Sequence, residues 1–480
     1  MLWRALSGLV LLAGMSSAQA QSPTQSHAQS HAQSHAQAPA DCTVDLDIRP
    51  GPQLEVDLRC QSPRPLTFVA EDRRTMSHVT DLVTTDRTAR YRFDLKGFAA
   101  EVDSTSIAVA RGGGVLSTLG SWLLEPQGFE RSPTIDFRVR PADGQVFTAG
   151  MPKAGDAWRL AGMSVRLAGY TAIGSLFLQE LAVPAPGSLR PGAPREEGVL
   201  RLAILDGTSP GGRADLLDWV RRTAEAEANW WQGFTARQSL VALVPTNARR
   251  AAGYGRTVSG GGVTVMVEVG RDVDRRRLFE DWVLVHEVIH TGMPYLRGRA
   301  TWFMEGAATY IEPILRARAG WLSEEDVWRE WIADMPQGAG AFATGLAAAS
   351  GRQNYWAGAL FMLLADIGLR RDSDGAKGLE DCLAGALWEG LDGAKRTTLQ
   401  DYAAACDRAV GGQTVSRLIA LHMEPGKPID LDALWRELGV ARQDGRIVFD
   451  DTAPLAKWRK MIVLGPGGSK LKPVKLPWRS

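Results

Sequence analysis

Histidine is scarce in this chain. There are seven in 480 residues, and three of them, His27, His31 and His35, fall in a polar stretch that repeats S-H-A-Q. A surplus of one charge is missing too: 55 basic against 54 acidic side chains leave a net charge of +1, so charge gives no support to nucleic-acid binding. Lys470, Lys472, Lys475 and Arg479 gather near the end of the chain, where they read as a solvated tail. Beyond the N-terminal segment, no run approaches the eighteen or so consecutive apolar residues of a membrane span. No cysteine follows that segment to accept a lipid. Only four cysteines occur, none near a histidine in sequence, which argues against thiol catalysis.

What is present divides the chain. At 480 residues and 45% hydrophobic content it is long enough for two or three cores. Arg4, an apolar run through Leu12, and Ser17, Ala18, Gln19 and Ala20 predict an export signal over residues 1–20, cleaved after Ala20, and so a secreted or periplasmic protein. Residues 21–40 cannot bury apolar area and read as a disordered linker. From 41 to 183, short alternating runs such as ARYRFDL and TIDFRVRP are separated by Gly, Pro and Asp, which predicts an antiparallel β-domain. PAPGSLRPGAPREEG, residues 184–198, reads as an interdomain linker. The strands VLRLAIL, SLVALVP and GVTVMVEV follow, and from Trp321 the chain is largely helical. The fold class is therefore α+β, with a second domain over 199–425 that has a mostly helical lobe, and a C-terminal tail over 426–480.

The cysteines fit local pairs. TVDLDI and QLEVDL alternate with period two around a turn at Arg49–Gln53, and pairing Ile48 with Leu54 places Cys42 opposite Cys60. Cys382 and Cys406 sit on two apolar helical segments joined by Gly390–Thr397. Four cysteines allow three pairings, and locality favours Cys42 with Cys60 and Cys382 with Cys406.

The remaining histidines carry the chemistry. In VHEVIH, His286 and His290 stand at i and i+4 and project from one helical face, where two ring nitrogens can hold one ion. Glu287 lies between them, in the place of a general base for a metal-activated water. Leu278, Phe279, Trp282, Val285 and Ile289 recur at helical spacing, with Gly292 at the C-cap. WFMEGAATYIE predicts a second helix, with Thr301 as N-cap and Glu305 as a third ligand for zinc. His78 and His422 have no comparable neighbours.

HEVIH followed by W-x-x-E-G-x-A-x-Y resembles the gluzincin metallopeptidases, particularly the glycyl aminopeptidase family and, more distantly, aminopeptidase N. The resemblance spans roughly residues 198–425. It implies a thermolysin-like domain in which His286, His290 and Glu305 bind Zn²⁺ and Glu287 is the base. It also implies that Tyr355, in QNYWAGALF, donates to the oxyanion, and that the strand just before the zinc helix edges a cleft for a peptide or protein substrate.

Two departures stand out. Only fourteen residues separate His290 from Glu305, which predicts a shortened connection and a more open cleft. The glycyl aminopeptidase pattern has a glutamate before the zinc helix that holds a free amine, whereas this chain has Gly261, Gly262, Val263 and Thr264 at the matching, substrate-binding place. Glu268 is the nearest acid that could substitute. The rival readings are a non-catalytic envelope protein retaining the zinc site and a zinc amidase acting on cell-wall crosslinks.

Overall fold

The computed structural model describes residues 39–205, 212–271, 273–465 and 475–479. The export signal and the S-H-A-Q repeats lie outside the described residues. No helix among the described residues is long and apolar enough to cross a membrane.

Alternation builds the N-terminal sheets. Along the strand Cys42–Arg49, Val44, Leu46 and Ile48 are buried while Thr43, Asp45 and Asp47 face outward. That strand pairs antiparallel with Gln53–Cys60 in the expected register: Ile48 lies opposite Leu54 and Cys42 opposite Cys60, with a disulfide across the last pair. Both belong to a seven-stranded sheet. One of its pairings departs from the antiparallel expectation, since Cys42–Arg49 runs parallel to Ile135–Pro141. More than eighty residues of chain separate these two strands in sequence, ample for the crossover that a parallel pair requires.

A four-stranded sheet lies beneath. Ala108 and Val115 join the core of the seven-stranded sheet, while Val109, Leu116, Tyr170 and Ala172 point the other way, onto Ala203, Leu240, Ala242 and Met266 of a third sheet. Buried on both faces, the strand Gly113–Thr118 has no need for a polar alternate.

The third sheet has five strands, in the order Phe177–Pro184, Glu197–Ile204, Gln238–Thr246, Val263–Gly270 and Ala252–Ser259. Its central strands are parallel and both outer pairings antiparallel. Two expectations are corrected here. The proline-rich segment 184–198 is the loop of a hairpin within this sheet, because Phe177–Pro184 pairs with Glu197–Ile204; Pro and Gly mark a chain reversal whether it joins domains or strands. The strand at the edge is Ala252–Ser259, and Val263–Gly270 lies one place inside it.

The far face of this sheet packs against the helix Arg213–Trp231 through Leu216, Trp219 and Val220, and against Leu284 and Val288. Those last two belong to the helix Val283–Ile289, which carries both histidines. The helical lobe centres on Thr301–Arg318 and Arg352–Asp372, which meet where a Cβ on either Gly306 or Gly358 would collide with the backbone of the other helix. A second disulfide, Cys382 to Cys406, joins the helices Leu379–Trp388 and Leu399–Val410. Residues 426–480, expected as a tail, are folded over most of their described length. The helices Leu431–Leu438 and Ala456–Leu464 bury Leu434, Leu438, Ile462 and Val463 in the helical core. Trp478 bridges to Leu181, and Arg479 pairs with Glu180 and Glu197 instead of standing free in solvent.

Candidate metal centre

The histidine helix is shorter than its apolar spacing predicts. Arg275–Glu280 forms a separate turn of helix, and the chain restarts at Val283 because Asp281 interrupts it. The Asp281 carboxylate accepts from the Val283 amide at 2.8 Å and from the Ala252 amide at 3.0 Å. One side chain thus satisfies the first free amide of the helix and ties the helix start to the edge strand. Burial raises the Asp281 pKa, against the pull of those two amides. The second helix starts one residue earlier than expected: Ala300 takes the N-cap position, Thr301 is the first helical residue, and no side chain caps the end.

His286 is buried and His290 half-buried, with their rings 5.0 Å apart. Glu305 projects toward both, its Oε2 lying 3.3 Å from His286 Nε2 and 3.5 Å from His290 Nε2. Among the described residues this is the only group of three such side chains whose donor atoms all fall within 4.8 Å of one another. Donors bound tetrahedrally to zinc at about 2.0–2.1 Å stand about 3.3–3.4 Å apart, so two imidazoles and one carboxylate at these separations fit that ion. Burial opposes ionisation of Glu305, yet the two imidazoles beside it hold its carboxyl well below the ordinary range.

Glu287 faces the edge strand. Thr257 Oγ1 lies 2.8 Å from its Oε2 and 2.6 Å from its backbone oxygen, so this hydroxyl fixes the carboxylate from across the cleft. The strand can come this close only because position 255 has no side chain: a Cβ on Gly255 would stand 2.6 Å from Glu287 Cγ and from Val283 Cγ1. Tyr355 stacks its ring 6.1 Å from that of His286 and is 37% exposed, open to an incoming molecule. Burial, together with the nearby charges of Glu305 and Glu287, pushes its hydroxyl up to about 12.

The cleft over these residues is lined by Tyr254, Arg256 and Thr257 from the edge strand, by Met293 and Tyr295 from the connection, and by Tyr355. The short connection after His290 therefore supplies a wall: it folds into a 3-10 turn, His290–Gly292, and the strand Tyr295–Arg297. Gly261, Gly262, Val263 and Thr264 do not reach the cleft. They pack against the β-domain, where a Cβ on Gly150 would collide with Thr264 Oγ1 and one on Gly262 with the Gly150 carbonyl. Glu268 is drawn the same way, accepting from Thr105 Oγ1 at 2.7 Å. Neither Thr264 nor Glu268, the acid that could have substituted as amine anchor, reaches this cleft, whose lining carboxylates among the described residues are Glu287 and Glu305; Glu312, Glu330 and Asp334 line an adjoining cavity that shares His286 and Tyr355.

The edge-strand residues are hard to find in the sequence because AGYGRTVS has two glycines and little apolar alternation. Both features weaken a strand signal, and an edge strand needs only one partner.

Against known proteins, no family model and no curated protein matches the sequence. Among solved structures, an aminopeptidase N family protein from Idiomarina loihiensis superposes with a TM-score of 0.58 at 14% identity, covering 84% of this chain and 79% of that one. The fold is that of an aminopeptidase N family protein. Coverage this wide extends beyond residues 177–480, so the fold likeness takes in part of the chain that precedes Phe177. An M1 zinc metallopeptidase from Deinococcus radiodurans also matches, with a TM-score of 0.45 at 15% identity, over 81% of this chain and 93% of that one.

Proposed function

We propose that this chain is an exported zinc metallopeptidase with a thermolysin-like catalytic domain, hydrolysing peptide bonds in a peptide or protein substrate. The observation that carries the reading is the convergence of His286, His290 and Glu305, with the Glu305 Oε2 3.3 and 3.5 Å from the two ring nitrogens, beside a Glu287 carboxylate held by Thr257. Zinc supplies, when bound, Lewis acidity toward a carbonyl and toward water. Glu287 takes the proton from the attacking water and passes it to the leaving amine, and Thr257 keeps its carboxylate aimed at the cleft. The Tyr355 hydroxyl donates to the oxyanion that develops on the carbonyl. A protein that merely bound zinc for structure would have no use for a carboxylate so positioned.

Metal analysis tests the first half of the reading. The mature protein, prepared without a histidine tag and trimmed to begin near Asp41 so that the S-H-A-Q repeats add no ions, is expected to carry about one zinc per chain. His286→Ala is expected to be empty. A parent as empty as the variant would end the metal-site reading.

The cleft lining bears on where a peptide is cut. An aminopeptidase must desolvate a free ammonium, which is costly without a carboxylate partner, and Glu287 and Glu305 are already committed. One peptide made in acetylated and free-amine forms is therefore expected to be cut at least as well when acetylated. A tenfold preference in kcat/KM for the free amine, about 1.4 kcal/mol, would reverse this.

A further inference from the structure

Along the edge strand, side chains alternate. Gly255 and Thr257 face the histidine helix, so Arg256 turns toward the β-domain, where its Nη1 donates to the Ser106 carbonyl at 2.8 Å and approaches the Tyr170 hydroxyl at 3.4 Å. Tyr170 is itself fixed, donating to the Thr105 carbonyl at 2.8 Å. The β-domain thus holds one arm of a guanidinium whose residue also lines the catalytic cleft.

The other arm is free. Nε and Nη2 of Arg256 have no hydrogen-bond partner among the described residues, and neither is a buried atom, so both donors open to solvent. No carboxylate among the described residues stands within 4.0 Å of the guanidinium. Several other arginines of this protein are paired, Arg159 with Asp136, Arg201 with Glu180, and Arg370 with Asp366 and Glu380. A half-buried guanidinium with one arm anchored and two donors unspent offers a fork matched to a carboxylate, and the anchored arm lowers the ordering cost of closing it. Tyr254 and Tyr295, 42% and 44% exposed, add aromatic walls to the same cleft.

We propose that Arg256 is a specificity residue that binds a carboxylate of the substrate, so that this peptidase selects acidic peptides at the side of the cleft bounded by the β-domain. The inference rests on the peptidase reading of the site. It also gives the β-domain a part in selection, because Ser106 and Tyr170 hold the guanidinium. The carboxylate has three possible sources, an Asp or Glu side chain, the peptide C-terminus, or an acidic cap on the N-terminus, and the test separates them.

Binding is measured by calorimetry on zinc-loaded, full-length mature Glu287→Gln protein, so that peptide is not consumed. The probes are one neutral peptide, the same peptide with Glu or its uncharged match Gln at each position in turn, a free against an amidated C-terminus, and a succinyl against an acetyl cap. One acidic member is expected to bind on the order of 10-fold tighter than its uncharged match, as a hydrogen bond between charged groups allows. That preference is expected to fall to about unity in Arg256→Met, to survive in part in Arg256→Lys, and to shrink with added salt. Melting temperatures of both variants within a few degrees of the parent exclude loss of the β-domain contact as the cause. An equal preference in parent and Arg256→Met overturns the proposal, as does the absence of any acid preference or of any peptide binding. Hydrolysis of the neutral peptide by the unsubstituted enzyme reports on the peptidase reading separately: cleavage without an acid preference sinks Arg256 alone.

Discussion

Glu287→Gln is expected to keep its zinc and to lose peptide hydrolysis by a factor on the order of 10³–10⁴. The substitution leaves both imidazoles and Glu305 in place, so the donor set that defines the metal site is unchanged. It also preserves shape, since the amide oxygen can still accept from Thr257 Oγ1, now 2.8 Å from the carboxylate. What it removes is the basic oxygen pair that takes a proton from water, and no other carboxylate lining the cleft stands ready to replace it, because Glu305 is engaged by His286 and His290. Metal content and turnover are measured on the same preparation. Near-normal turnover would remove Glu287 from its role, whereas loss of zinc together with activity would mean that the substitution disturbed the site and not the base.

Tyr355→Phe is expected to lower kcat by a factor on the order of 10²–10³ with little change in zinc content. The ring stacks beside His286 and a phenylalanine ring fills the same space, so the substitution deletes only the hydroxyl. A donor used only as charge develops on the carbonyl oxygen affects the rate more than substrate binding, so KM should move far less than kcat. A fall in kcat/KM carried by KM alone would make Tyr355 a binding residue. Unchanged kinetics would leave the oxyanion to the metal and remove Tyr355 from the catalytic set.

Much of the candidate site is legible in short stretches of sequence. The period-two runs around Arg49–Gln53 set a register in which Cys42 meets Cys60, and the strands pair in that register, because a slip of one residue would turn every apolar side chain to solvent. VHEVIH and WFMEGAATYIE place three donors on two helices, and a four-residue spacing on a helix leaves little choice about which face they share. Both are local facts, readable from spacing. Composition is a poorer guide to connection: the same Pro and Gly content that suggests a domain linker at 184–198 belongs to a hairpin loop, and a lysine-rich terminus still buries Leu476.

By itself, then, the sequence determined the hairpin and its disulfide, the clamped helical pair, and the identity and spacing of the donors at the candidate metal centre. Each of these depends on residues close along the chain or on one periodicity. Tertiary structure alone decided which strand borders the cleft, that Thr257 holds Glu287 from thirty residues away, and that Gly261–Thr264 and Glu268 belong to the contact with the β-domain. It alone also brought Ser106 and Tyr170 to Arg256, across some 150 and 86 residues of chain. The physical reason is the same throughout: sheet order and the packing of one layer on another are set by the sum of many weak burials over the whole chain, and no short stretch carries that sum.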